Sequence, residues 1–324
     1  MKALVTCELT DDGARSLREL GFDVEQTGWG ATRQALGAKE YASAAAGSRL
    51  LLTEIETVDA GVLDRCPDLL AVGTARGGPV NVDIAECTRR RLPVLYTPAR
   101  NAESVADFVV GLLIGLLRGV VAGDRHLRSV GWGVPTRYGE ELPYLHFRGP
   151  ELSRLTVGLV GYGAVGRAVA RRLEGGFGIA VLFHDPHVEG SVPLEQLLAD
   201  SDVVSLHCPR GPETERLMRA ETFALMRPGS WLVNTAGGAC VDEDDLVGAL
   251  EAGQLAGAAL DVFATEPLPE ESPLLRRADV VLTPHLAGAA DDVVRHHTEM
   301  LVGDVARLLR GERPLHCANP EVLP

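Results

Sequence analysis

Lysine is nearly missing from this chain: Lys2 and Lys39 are the only two, and arginine carries the rest of the positive charge. That imbalance reflects a GC-rich coding sequence rather than a function. Positive charge as a whole is also short, 31 Lys and Arg against 45 Asp and Glu, for a formal net charge of −14. A chain of that sign repels phosphate backbones and anionic headgroups, which argues against nucleic acid or a membrane surface as partner. No uninterrupted apolar run approaches the roughly 18 residues that a membrane span needs. The opening MKALVTCELTDDG has too short an apolar run for a signal peptide and meets acids at once, so the expected location is cytoplasmic. The six cysteines (Cys7, Cys66, Cys87, Cys208, Cys240, Cys317) form no CxxC pair and no Cys/His ligand spacing. Reduced thiols and no bound metal are expected. Tandem repeats and low-complexity tracts are missing too.

What is present is a chain of 324 residues, 46% of them hydrophobic, enough for about two domains with sizeable cores. Up to about residue 100, short apolar strands alternate with helical segments: Ala3–Thr6, Gly13–Leu20, Leu50–Thr53, Ala60–Cys66 and Leu69–Gly73. This is an α/β pattern of flavodoxin type. After the last of these strands, TARGGPVNVD places Gly77 and Gly78 where backbone N–H groups can meet a ligand, with Arg76 ready for an anion or simply a loop-surface arginine. One long apolar helix is expected over Ala102–Val121, bridging into a second domain. The stretch 128–149, rich in Gly, Pro and aromatics, reads as an irregular arm over a dimer surface or over the site.

The chain is organised around TVGLVGYGAVGRAVARRL, residues 156–173. The apolar run Val157–Val160 reads as a buried parallel strand, and the periodic Val165, Ala168, Val169 and Leu173 read as a helix. Gly161, Gly163 and Gly166 stand between them at GxGxxG spacing. The first permits the tight turn, the second lets a pyrophosphate approach the backbone, and the third lets the helix pack on the strand. The phosphates would sit over the helix N-terminus. The next strand, Ile179–Phe183, leads to Asp185, nineteen residues beyond Gly166. An acid there accepts hydrogen bonds from the adenosine ribose and repels a 2′-phosphate, so NAD is expected over NADP. His184 and His187 read as surface residues. Further strands are expected at Val203–His207, Trp231–Asn234, Ala258–Val262 and Val280–Thr283. A last helix over Ala290–Leu309 would return the chain to the first domain, with the tail 311–324 lying along it.

Polar groups gather at these strand ends: His207-Cys208-Pro209, Asn234-Thr235-Ala236-Gly237, Asp261, Glu266-Pro267 and Thr283-Pro284-His285. With GLVGYGAVGR, SLHCPRGPET, MRPGSWLVNTA, VDEDDLVGAL, AGAALDVFATEPLP and LTPHLAG, the chain closely resembles the D-isomer-specific 2-hydroxyacid dehydrogenase family over nearly its whole length. The resemblance implies two Rossmann-like domains with doubly wound parallel sheets. A flavodoxin-like substrate domain would comprise 1–101 and 290–324, an NAD-binding domain 102–289, and the molecule would be a homodimer with the site in the cleft between domains. It implies hydride transfer between nicotinamide and a small 2-hydroxy or 2-keto acid. His285 would be the acid–base group and Glu266 its carboxylate partner. Arg76, Gly77, Gly78 and Asn101 would form the substrate wall. The cofactor would touch Val105, the loop Gly161, Gly163, Ala164, Val165 and Gly166, and Asp185. It would also touch His207, Cys208, Pro209 and Thr214, then Thr235, Ala236 and Gly237, and finally Asp261, His285 and Gly288. Asp261 would bond the nicotinamide carboxamide, and Cys208 would be part of the cofactor wall rather than a reactive thiol.

One position departs from the family pattern. After the fourth strand of the NAD-binding domain the family reads N-x-A-R-G, with an arginine that grips the substrate carboxylate. Here Gly237 stands in that place. Backbone does not replace a bidentate guanidinium. Four accounts are open: Arg76 supplies the charge, the substrate presents a different anion such as a phosphonate, the protein binds NAD with weak or no dehydrogenase activity, or an arginine was replaced by design.

Overall fold

The computed structural model describes residues 1–137 and 139–323; Tyr138 of the arm and Pro324 of the tail lie outside them. The chain divides into two compact units, Met1–Asn101 joined by the segment from Ala290 onward, and Ala102–Ala289.

The first unit is built on five parallel strands: β1 (Lys2–Val5), β2 (Asp23–Gln26), β3 (Leu50–Thr53), β4 (Ala71–Thr74) and β5 (Val94–Leu95), in the order β2-β1-β3-β4-β5. This is the flavodoxin-like order. β3 and β4 are buried throughout, as strands covered on both faces must be, which is why LLLT and AVGT show no polar alternation. One face packs Leu4, Leu51 and Val72 with Tyr41, Val62 and Leu63. The other packs Ala3, Val5, Leu50 and Leu52 with Leu17, Leu301 and Val305. Leu301 and Val305 come from the helix Asp291–Leu309, whose apolar stripe closes that face. The tail runs along β5, where the Ala318 N–H donates to the Val94 carbonyl.

The second unit begins with helix Ala102–Leu117. The single helix expected through Val121 is interrupted: Gly119 adopts a left-handed conformation (φ 61°), and a new helix, Val120–Ser129, departs at 58°. A glycine can take that turn without steric cost, and the apolar periodicity alone does not reveal it. The arm is also more regular than its composition suggests. Val134–Thr136 (β6) pairs antiparallel with Gly139–Glu141 (β7), and a short helix covers Pro143–His146. Among the described residues no single helix is long and apolar enough to cross a membrane.

Six parallel strands follow: β8 (Thr156–Val160), β9 (Ala180–His184), β10 (Val203–Leu206), β11 (Ser230–Asn234), β12 (Leu255–Leu260) and β13 (Val280–Leu282). Their order is β13-β12-β11-β10-β8-β9. The expected strands stand within a few residues of these positions. In the first unit, the strand expected at Leu69–Gly73 starts two residues later, and the helix at Ala60–Cys66 ends at Leu63. Helices Ala102–Leu117 and Ala164–Phe177 cover one face through Val109, Leu113, Val169 and Leu173. The opposite face is closed by Leu197, Phe223 and Leu246 from three shorter helices. The order of strands reverses between β8 and β10, which opens a crevice at their carboxyl ends, where doubly wound sheets bind ligands.

Candidate active site

At that crevice a cavity of about 480 Å³ is lined by Gly161, Tyr162 and Gly163 after β8, by His184 to Val188 after β9, and by Cys208, Pro209 and Thr214 after β10. Gly161 has φ +97°, and a Cβ there would lie 2.6 Å from the His207 and Cys208 backbone. At Gly166 a Cβ would reach 2.3 Å from the Gly161 carbonyl, whereas at Gly163 it would meet nothing within 4 Å. The three glycines therefore divide the work: two allow close protein packing, and the middle one leaves a space open over the helix start.

Asp185 closes the far side. Its carboxylate accepts from the Tyr162 N–H at 2.8 Å and the His187 N–H at 3.0 Å. Burial pushes this acid up, but those two bonds outweigh it and hold it below the usual carboxylate range. It is therefore a fixed negative charge. His184 is not the free surface residue expected: its Nδ1 lies 2.8 Å from the Val192 carbonyl and its ring lines the cavity. His187 is exposed. Tyr162, which the sequence reading passed over, stacks on Phe183 at 3.9 Å, with Arg167 above its ring.

Two of the residues expected in the cofactor wall, Val105 and His207, do not line this cavity. Val105 is buried beside Val109 in the core, because the helical period turns it toward the sheet. The His207 ring points into the protein rather than the cavity. Its Nδ1 is buried without a partner, its Nε2 lies 3.0 Å from Ser205 Oγ, and burial pushes its pKa down to about 4. Cys208 lines the cavity, but its Sγ lies 4.0 Å from that of Cys240, and this contact and burial raise its pKa. Such a thiol is a poor nucleophile.

The neighbouring strand ends carry the second cluster. His285 Nδ1 lies 2.9 Å from Glu266 Oε2, and the other oxygen, Oε1, accepts from the Phe263 N–H at 3.1 Å. Burial raises the Glu266 carboxyl, yet these bonds prevail and hold it below its ordinary range. His285 is exposed and left-handed, φ 57°. Asp261 differs from expectation. It is fully buried, and its carboxylate accepts from Thr283 Oγ1 and from the N–H groups of Leu286 and Ala287 at 2.6, 2.7 and 2.8 Å. The loop bearing His285 consumes this acid, leaving no accessible surface for a carboxamide.

Asn234 pins the loop after β11: its Oδ1 accepts from the Ala236 N–H, and its amide donates to the Gly237 carbonyl. Thr235 Oγ1 is buried without a partner. Gly237 and Gly238 are buried, and a Cβ at Gly238 would fall 1.8 Å from Phe263. Ala164 and Val165 form the first turn of the helix after the glycine loop, and Gly288 follows the Asp261-bound segment. In the first unit, Arg76 Nη1 donates to the Glu54 carbonyl at 3.2 Å. Gly77 and Gly78 are exposed, and Asn101 is half-buried at that unit's end.

Residues 110–287 match the model of the D-isomer specific 2-hydroxyacid dehydrogenase, NAD binding domain. The chain belongs to that family. The YoaD protein of Bacillus subtilis is 36% identical over 98% of this chain and 93% of its own length. A glyoxylate reductase of Thermofilum pendens is 38% identical over 85% of this chain and 82% of its own. The crystal structure of the TT0316 protein from Thermus thermophilus superposes with a TM-score of 0.82 at 35% identity, covering 98% and 100% of the two chains. As a D-isomer specific 2-hydroxyacid dehydrogenase, the protein is an NAD-dependent oxidoreductase acting on CH–OH groups. The cavity suits the dinucleotide: the space over Gly163 is open at a helix start, where phosphates bind, and Asp185 sets a carboxylate on its far side. Besides Tyr162, the sequence reading did not single out Arg210, visible in SLHCPRGPET as a cation directly after a strand-end Cys-Pro.

Proposed function

We propose that this dehydrogenase interconverts a small 2-hydroxy acid and its 2-keto acid, with His285 moving the proton and Glu266 holding His285. The observation that carries the reading is the 2.9 Å contact between His285 Nδ1 and Glu266 Oε2, in the same unit as the dinucleotide cavity. An ionised Glu266 requires the proton on Nδ1, which leaves Nε2 as the atom that gives a proton to a keto oxygen or takes one from a hydroxyl. The exposure of the His285 side chain lets that atom meet a substrate. Bound NADH supplies the hydride for reduction, and NAD accepts it in the reverse direction. Asp185 orients the ribose and disfavours a 2′-phosphate by like charge. Thr235, Ala236, Pro209 and Thr214 complete the cofactor wall in this reading, and Arg76, Gly77, Gly78 and Asn101 the substrate wall.

Two copies of the chain pair through the arm, whose Val130, Trp132, Leu142, Tyr144 and Leu145 are exposed apolar residues. The six free cysteines support a reducing, cytoplasmic setting. Gly237 favours a second reading, an NAD-binding protein with little turnover. The experiment is NADH oxidation across a panel of small 2-keto acids, beside NADH binding by fluorescence, for the protein and for His285→Ala. Turnover abolished in His285→Ala with binding retained supports the dehydrogenase mechanism. Turnover unaffected by that change sinks it, and binding without turnover in the unaltered protein selects the second reading.

A further inference from the structure

A 2-hydroxy acid brings a carboxylate, and a chain with a net charge of −14 needs a cation to receive it. Several arginines of the second unit are engaged by acids: Arg171 and Arg172 with Glu103, Arg216 with Asp242, Arg227 with Asp202 and Arg277 with Asp279. Arg210 is exposed and makes no hydrogen bond or ion pair among the described residues. Its side chain does not line the dinucleotide cavity, although its neighbours Cys208 and Pro209 do. It lies instead across Gly237: a Cβ on that glycine would come within 2.8 Å of both Arg210 Cγ and Nε, and 3.3 Å of Cδ. The glycine therefore makes room for the arginine. The loop beneath stays fixed without it, since Asn234 holds the Gly237 carbonyl at 3.0 Å. The loop under Arg210 also packs against the acid–base pair: Gly238 abuts the Phe263 backbone, whose N–H donates to Glu266 Oε1 at 3.1 Å. After burial, which raises the Glu266 carboxyl, and the bonds from His285 and Phe263, which lower it, Arg210 adds a further lowering influence.

We propose that Arg210, laid over Gly237, is the cation that binds the substrate carboxylate next to His285 and Glu266. The assignment rests on the hydroxyacid reading above. A guanidinium offers the paired donors that match a carboxylate, and here it is delivered from the end of β10 rather than from β11. The absence of a side chain at 237 then marks a relocated cation instead of a lost one.

The test is steady-state kinetics of NADH oxidation with glyoxylate, pyruvate and hydroxypyruvate, and with methyl pyruvate as a probe lacking the charge. The proteins compared are the unaltered chain, Arg210→Ala, Arg210→Lys and Gly237→Ala. Arg210→Ala is expected to lower kcat/KM for the acids at least 100-fold, chiefly through KM. Its rate with methyl pyruvate and its NADH affinity should stay within threefold of the unaltered values. Arg210→Lys should recover part of the loss, and Gly237→Ala, whose methyl displaces the arginine, should raise KM for the acids by tenfold or more. Equal losses on acid and ester, or kcat/KM within threefold in Arg210→Ala, overturn the assignment. His285→Ala measured alongside separates the two failures: inactive His285→Ala with unimpaired Arg210→Ala leaves the dehydrogenase reading standing and removes only Arg210. No turnover of any acid by the unaltered protein removes both.

Discussion

The Asp261 carboxylate accepts the Leu286 N–H at 2.7 Å, one residue beyond the proposed acid–base histidine. With the Thr283 hydroxyl, the Ala287 N–H and the backbone bond from His285 to the Asp261 carbonyl, it clasps every residue around His285 except Pro284. His285 needs such a clasp. A left-handed non-glycine backbone costs about 1 kcal/mol or more and persists only where its surroundings over-determine it. Asp261 thus links the end of β12 to the position of the imidazole.

Asp261→Asn tests this link. The amide keeps one oxygen for Thr283 and Leu286 but presents a donor where the other now accepts the Ala287 N–H, leaving that buried N–H without a partner at a cost of roughly 2–4 kcal/mol. Denaturant unfolding should show that loss. Turnover should fall while NADH binding at the glycine loop changes little. Unaltered stability and turnover would show that the loop holds His285 without Asp261.

The glycine loop separates two kinds of small residue. Gly163→Ala meets nothing within 4 Å, so the fold should keep its stability to within about 0.5 kcal/mol. Its methyl would stand in the space left for the pyrophosphate, and NADH affinity should drop about tenfold or more, ~1.4 kcal/mol. Gly166→Ala instead drives a methyl to 2.3 Å from the Gly161 carbonyl and should destabilise by roughly 1–3 kcal/mol, as overpacking does. Calorimetry and fluorescence titration distinguish the pair; normal NADH binding by Gly163→Ala would place the phosphates elsewhere.

In the proposed function, cofactor choice rests on the Asp185 charge. Replacement by Ser removes a carboxylate that two backbone N–H groups hold ionised. The ratio of kcat/KM for NADH to that for NADPH should fall roughly 10- to 100-fold, about 1.4–2.8 kcal/mol. Parallel assays with the two cofactors decide it, and an unchanged ratio would remove Asp185 as the residue that reads the ribose.

Most of the fold was legible because buried parallel strands write themselves as uninterrupted apolar runs. Val203–Leu206 and Val157–Val160 could hardly be anything else. The glycine loop was legible for the same reason that it is constrained: close backbone approaches tolerate no other residue. What escaped depends on contacts between distant segments. The left-handed turn at Gly119 interrupts an apolar stripe whose periodicity continues through it. Asp261 reads as a ligand at a strand end until the loop from Thr283 to Ala287 folds over it. Gly237 reads as a deficit, and only in three dimensions does Arg210, 27 residues earlier, come to occupy its side-chain space. The histidines divide likewise: His285 was marked by its motif, whereas the inward turn of His207 was not.

His207 gives the fold a pH dependence whose sign is fixed by burial. Its pKa falls from 6.5 to about 4, so the folded protein keeps the ring neutral where the unfolded chain protonates it. Between those values the unfolded state binds more protons, and stability declines as pH falls, by at most about 1.4 kcal/mol per pH unit from this residue. Above pH 6.5 both states hold the ring neutral and the effect vanishes. Glu266 and Asp185 act lower: held below their ordinary 4.5 and 3.8, they contribute stability above those values and lose it as pH falls through their folded values. His207→Asn, which keeps a polar partner for Ser205, should therefore flatten the decline between pH 6.5 and 4.5 and leave the steeper acid limb in place. Denaturant midpoints of the two proteins at those pH values measure the difference. Equal slopes would mean that the ring takes up its proton in the folded state, by turning Nδ1 toward water rather than keeping it buried without a partner.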